Sequence, residues 1–208
     1  MEITYFGNSC FRIKGKKAVV LVGADSSISS KLTADVICVL ENGEKLKKTV
    51  KSALRDEVLI FNEPGEYEVS EIGVLGIDLG DKQKENIGFI LMLEGLRIAH
   101  LGNLSEIPTE KQIQIINGID ILLLPVGGGE VISPDDALKL ISSIEPDVVV
   151  PMSYLSSKSI LKLEDSLDDF LKTAGVEISE PLDKLVLSFK ETEDKQAKKI
   201  ILLKDKSE

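Results

Sequence analysis

A single histidine, His100, is present in the 208-residue sequence. Imidazole is the side chain that best serves proton transfer and metal ligation near neutral pH, so chemistry of either kind has one candidate centre. His100 closes the apolar run Leu96–Leu101 and is followed by Gly102 and Asn103. With apolar flanks and a neighbouring strand, it reads first as a hydrogen-bonded structural histidine and only second as a catalytic one. Ser153 carries a hydroxyl that would need a base to act as a nucleophile, and the only imidazole to serve it is His100. Glu63, Glu66 and Glu68 suggest paired carboxylates for acid–base work, weighed against a structural or subunit-contact role. Gly127–Gly129 could present backbone N–H groups to an anion; without a following Gly-Lys-Ser they read as a tight rim loop. Cys10 and Cys38 match no metal spacing and read as buried small side chains or free thiols.

The elements that must position these residues can be read from periodicity. The stretch from Asn86 to Glu106 holds two apolar runs, Phe89–Leu93 and Leu96–Leu101, around Glu94-Gly95, the signature of a hairpin. Before it, Ile3–Phe6 and Cys10–Ile13 form a hairpin through Gly7-Asn8-Ser9. Ala18–Val22, Val36–Leu40 and Val58–Phe61 are buried strands, Ser26–Ser30 is loop, and Glu44–Leu54 has a helical pattern. Glu68–Ile77 gives one or two short strands broken by Gly73 and Gly76, and Gly80–Asn86 is a charged hairpin tip. After the central hairpin, helix and strand alternate. Thr109 with Gln112 forms a capping box ahead of Ile113, Ile115 and Ile116, the expected apolar face. Ile121–Leu124 and Val148–Val150 are strands, Ser133-Pro134 starts a helix ending near Ile144, and Glu164–Thr173 is a further helix stopped by Gly175. Lys184–Phe189 and Lys199–Leu203 read as a closing hairpin. A strand-rich first half followed by β-α-β-α-β units predicts an α/β (α+β) fold of the αββα type. Two mixed sheets pack together with helices on the outer faces, as a single domain over residues 1–208.

Composition narrows the classes of partner. The net charge of -10, from 35 acidic and 25 basic residues, opposes binding to a phosphate backbone, so no nucleic acid is expected. The Lys-rich pieces Lys45–Lys51 and Lys195–Lys199 are interleaved with or flanked by acidic residues and read as solvated faces. No apolar run approaches the roughly 18–20 residues that span a bilayer, and MEITYFGN does not read as a signal peptide, so the expectation is a cytoplasmic protein without membrane association.

Five segments in order, GNSCFRIKG, EPGEYEV, GLRIAHLGN, IDILLLPVGGG and IEPDVVVPMSY, resemble the metallo-β-lactamase superfamily. The branch most similar contains ascorbate-6-phosphate-lactonase-like proteins and "Zn-dependent hydrolases". The resemblance implies the αββα fold and a dinuclear metal site on strand-end loops. It also implies where the ligands would fall. The first motif of the family lands on Glu41, Gly43, Lys45 and Leu46; the bridging carboxylate becomes Asn103; two family histidines become Asn8 and Ser153; and the region from Ile77 to Glu85 has no histidine. Zinc takes imidazole nitrogen, thiolate or carboxylate, usually from three or four groups, and of these positions only Glu41 offers one. The expectation is therefore no metal and no cofactor, with Asn8, Glu41, His100, Asn103 and Ser153 lining a vestigial cleft.

Three functions stay open on this reading. One is a pseudoenzyme that binds a small-molecule ligand in the cleft or assembles with itself or a paralogue subunit. Another is a divergent hydrolase of a phosphorylated sugar lactone or other ester, working from a rearranged, metal-poor site. The last is a purely structural, oligomer-forming protein.

Overall fold

A computed structural model describes residues 1–24, 32–41, 58–81, 84–177, 179–188 and 199–207. The expected Ser26–Ser30 loop, the expected Glu44–Leu54 helix and positions Gly43, Lys45 and Leu46 lie outside the described residues, as do residues 82–83 and 189–198.

The first half of the chain builds one sheet. β1 (Glu2–Tyr5) and β2 (Phe11–Lys14) pair antiparallel through the turn around Gly7-Asn8-Ser9, and β3 (Val19–Val22) continues antiparallel to β2. β4 (Val36–Cys38) and β5 (Leu59–Phe61) then add in parallel. The second sheet begins with an antiparallel meander: β6 (Gly65–Val69), β7 (Ile72–Asp78), β8 (Ile87–Leu93) and β9 (Leu96–His100). It continues in parallel with β10 (Ile121–Pro125) and β11 (Val148–Met152), reached through α1 (Glu110–Ile116) and α2 (Pro134–Ile144). α3 (Leu167–Ala174) follows β11. The two mixed sheets expected from the sequence are thus present, of six and seven strands.

Burial shows why the strands read as they do. β10 is buried at every residue because both of its faces are covered. Ile121 and Leu123 join Phe11, Val20, Val36, Phe89 and Val150 in the core between the sheets. Leu122 and Leu124 face the other way, onto Ile116 of α1, Leu140 and Ile141 of α2 and Phe170 of α3. On the outer face of the six-stranded sheet, Leu21, Ile37 and Val39 form a separate cluster with Cys10. Among the described residues no helix is long and apolar enough to cross a membrane.

Four local expectations change. β7 runs unbroken through Gly73 and Gly76, since extended backbone costs glycine only entropy and each pairs across to β8. Ile115 is 45% exposed; α1 is short, and Ile116 with Ile113 carries its contact to the core. The last helix starts at Leu167, not Glu164. The N–H groups of Glu164 and Asp165 are both taken by the Gly127 carbonyl, and Ser166 with Asp169 forms the capping box that opens the helix. Finally, the closing strands are not a hairpin. β12 (Leu185–Val186) pairs with β1 in one sheet and β13 (Lys199–Ile200) with β11 in the other. Each meets an open edge whose unpaired N–H and C=O groups favour it over its sequence neighbour.

Candidate functional site

β9, β10 and β11 run parallel, as do β3 and β4, so their carboxyl ends gather on one rim, the place where open α/β sheets offer loops to a ligand. His100 is the last residue of β9 and is fully buried. Its Nε2 lies 2.7 Å from the Ser9 carbonyl oxygen, and its Nδ1 accepts the Gly102 N–H at 3.1 Å. A carbonyl only accepts and an amide N–H only donates, so this pair of partners fixes the neutral tautomer with the proton on Nε2. Phe11 meets the ring edge-on at 5.9 Å. Burial pushes the imidazole pKa down to about 4, against a smaller opposing pull from the Ser9 carbonyl. Both nitrogens are thus committed to backbone, and neither is directed at solvent.

Asn8 and Ser153 come together from opposite sheets. Asn8 sits in the β1–β2 turn, and Ser153 follows β11. The Ser153 N–H and Oγ–H both donate to the Asn8 carbonyl, at 2.9 and 3.1 Å, and the Tyr5 hydroxyl donates to the same oxygen at 2.9 Å. The Asn8 side chain is also used: its Oδ1 accepts the N–H of Ile160 at 3.2 Å. Ser153 is buried and its hydroxyl proton points at a carbonyl, a poor arrangement for a nucleophile, with no hydrogen bond between Ser153 and His100.

Asn103 is half-buried and held by a residue that pattern reading assigned only to a hairpin tip. Buried Asn86 accepts the Asn103 N–H on Oδ1 at 2.8 Å and donates from Nδ2 to the Leu101 carbonyl at 3.0 Å. The available signal was positional: an amide side chain directly before the strand that pairs with β9. Glu41 is exposed, one residue beyond Leu40, whose carbonyl accepts the Ile87 N–H at 2.8 Å. It therefore stands on the same rim as Asn86 and Asn103. Two glycines permit the close approach of these loops. A Cβ on Gly23 would fall 1.9 Å from the Ser9 carbonyl oxygen, and one on Gly102 would fall 2.0 Å from Asn86 Oδ1.

Among the described residues of this rim, few donors suit a metal. Asn8 and Ser153 spend their groups on the protein itself, Asn103 carries no charge, and His100 is enclosed. Among the described residues, no group of three or more His, Cys, Asp or Glu side chains is placed to hold an ion. The other candidates lie elsewhere or are closed. Glu63, Glu66 and Glu68 are exposed at the edge of the seven-stranded sheet, beside the stacked rings of Phe61 and Tyr67. The Gly127–Gly129 loop turns its carbonyl to Glu164 and Asp165, and the Asp165 carboxylate lies against Gly128, a setting that repels an anion. Cys10 and Cys38 are both buried.

Residues 2–153 match a family model described as the beta-lactamase superfamily domain. A UPF0173 protein of Pyrococcus abyssi is 26% identical over 178 residues, which cover 74% of this chain and 83% of that protein. A UPF0173 metal-dependent hydrolase of Archaeoglobus fulgidus is 24% identical over 216 residues, covering 86% of this chain and 94% of its own. A crystal structure from Thermotoga maritima, assigned as a Zn-dependent hydrolase of the metallo-β-lactamase superfamily, matches with a TM-score of 0.77 at 28% identity over 97% of both chains.

Proposed function

We propose, from the premise that this chain belongs to the beta-lactamase superfamily, that it is a pseudoenzyme: a single-domain cytoplasmic protein without the metal site, acting by binding or assembly. The observation that carries the reading is the state of His100. The chain's one histidine is fully buried, with both nitrogens bonded to backbone groups, and so supplies neither a ligand nor a base. Around it, Asn8, Asn103 and Ser153 carry only neutral oxygens and amides, and those of Asn8 and Ser153 are bonded within the protein, so none activates water. A metal ion lowers the pKa of bound water from 15.7 to about 7; with no ion to do so, the main rate term for hydrolysis is lost. The remaining use of the rim is to bind a small molecule or to contact a second subunit, its own or a paralogue's.

The test is elemental analysis of protein purified from metal-supplemented medium without chelators. A metal content near zero per chain is expected; a stoichiometric content of zinc, manganese or iron overturns the reading.

A second reading draws on the relatives, which are named metal-dependent hydrolases. Under it the chain hydrolyses a phosphorylated sugar lactone or another ester from a rearranged site, with Glu41 as an anionic group on the rim. It requires a turnover that Glu41→Ala abolishes.

A further inference from the structure

We propose that the rim residues form a metal-independent clasp, in which direct hydrogen bonds between loops of the two sheets hold the sandwich closed at the carboxyl ends of its strands. The inference rests on the metal-free reading of the site and assigns the rim residues a physical task.

Among the described residues, three backbone carbonyls from loops of the six-stranded sheet take donors across this rim. The Leu40 carbonyl, after β4, accepts the Ile87 N–H at the start of β8 at 2.8 Å. The Ser9 carbonyl, in the β1–β2 turn, meets His100 Nε2 at 2.7 Å. The Asn8 carbonyl receives both donors of Ser153, after β11, at 2.9 and 3.1 Å. In each case the six-stranded sheet supplies a backbone carbonyl and the seven-stranded sheet supplies the donor, so the rim is a one-directional row of N–H and O–H groups meeting C=O groups. A buried carbonyl without a partner is costly, and here each is answered from the facing sheet.

The backbone is shaped for these contacts. Asn8 and Ser153 both adopt left-handed conformations, with φ of 49° and 48°. Such conformations are sparsely populated for residues with a side chain and persist only where the surroundings over-determine them. Here that determinant is their mutual bond. The opposite end of the sandwich is tied in the same direct manner, through a side chain. The Glu94 carboxylate, in the β8–β9 turn, accepts the Lys16 N–H from the β2–β3 turn at 2.6 Å.

The experiment is hydrogen exchange with mass spectrometry on the full chain, following the peptides that cover the turn around Asn8 and the strand end around Ser153. Wild-type protein is compared with Ser153→Ala, alongside thermal unfolding of wild type with excess EDTA and with added zinc. Ser153→Ala deletes one bond of the clasp while keeping the Ser153 backbone N–H bond to Asn8, whereas His100→Ala, in the core, risks failing to fold. The expected result is exchange at both segments faster by roughly threefold to tenfold in the variant, the change from losing one hydrogen bond. Wild-type Tm stays unchanged by either EDTA or zinc. Unchanged exchange in Ser153→Ala, with Tm still indifferent to metal, overturns the clasp and leaves the metal-free reading standing. A wild-type Tm raised by zinc and lowered by EDTA overturns both.

Discussion

Ser153 places its amide and its hydroxyl on a single carbonyl oxygen, that of Asn8, at 2.9 and 3.1 Å, while both residues hold left-handed backbone conformations. Bond and strain have opposite signs, and two substitutions at Ser153 separate them. Ser153→Ala loses the hydroxyl bond and keeps the strain, so it is expected to destabilise by about 1 kcal/mol. Ser153→Gly loses the same bond but relieves a conformational cost of about 1–2 kcal/mol, so it should be the more stable of the two variants. Urea unfolding of both decides it; a glycine variant weaker than the alanine variant would show that the φ of Ser153 is not strained.

The buried His100 gives stability a specific pH dependence. Its pKa falls from 6.5 in the unfolded chain to about 4 in the folded one. Between those values the unfolded state takes up a proton that the native state refuses. The contribution is therefore fully present above pH 6.5 and is lost as the pH falls toward 4, by about 3 kcal/mol in all. A proton on Nδ1 would also face the Gly102 N–H head-on. Comparing wild type with His100→Gln cancels the other groups: the stability advantage of wild type should shrink steadily from pH 7 to pH 4. A constant difference across that range would mean that His100 titrates normally.

The glycines that admit neighbouring loops should rank by what a Cβ would strike. Gly102→Ala and Gly23→Ala each combine a positive φ with a contact near 2 Å, to Asn86 Oδ1 and the Ser9 carbonyl respectively. Each is expected to cost about 2–4 kcal/mol. Gly118 has a φ of +73° and nothing within 4 Å, so Gly118→Ala isolates the conformational cost, about 1–2 kcal/mol. Equal losses at all three positions in a denaturation series would remove close approach as the reason for Gly23 and Gly102.

The cysteines should be silent in the native protein. Cys38 is fully enclosed, and burial alone drives its thiol far above the usual range, away from the reactive thiolate. Cys10 is 2% exposed. A thiol reagent should modify neither cysteine before unfolding and both after it. Rapid native modification at Cys38 would indicate that the six-stranded sheet opens locally.

The sheets were legible because their residues are: VICVL, ILLLP and VVVPM are apolar throughout, as strands covered on both faces must be. The capping residues Thr109 and Ser133 were equally plain, since a hydroxyl at an N-cap acts within its own turn. The site was harder. Nothing local in Asn86 announces that its amide will hold Asn103 and Leu101, and nothing in Ser9 announces that its carbonyl will meet His100, 91 residues away. The first is a contact between neighbouring strand ends of one sheet, and the second a fact of packing between the two sheets. The destination of β12 and β13 failed for the same reason: a run of alternating residues specifies a strand without naming the edge it will join.

That division of the last two strands bears on the order of events at the ribosome. Ile3 pairs with Leu185, so β1, made first, has no outer neighbour until nearly the whole chain exists. At about 5–20 residues per second the delay is on the order of 10–40 s. Through that interval the short β1 edge stands open in the half-built six-stranded sheet, and the β11 edge of the other sheet joins it once Met152 is made. Residues Leu185 to Ile200 then close both, one after the other. A nascent chain stalled before Leu185 should therefore be the species most prone to sticking to its neighbours, and release of that final stretch the step that makes it safe.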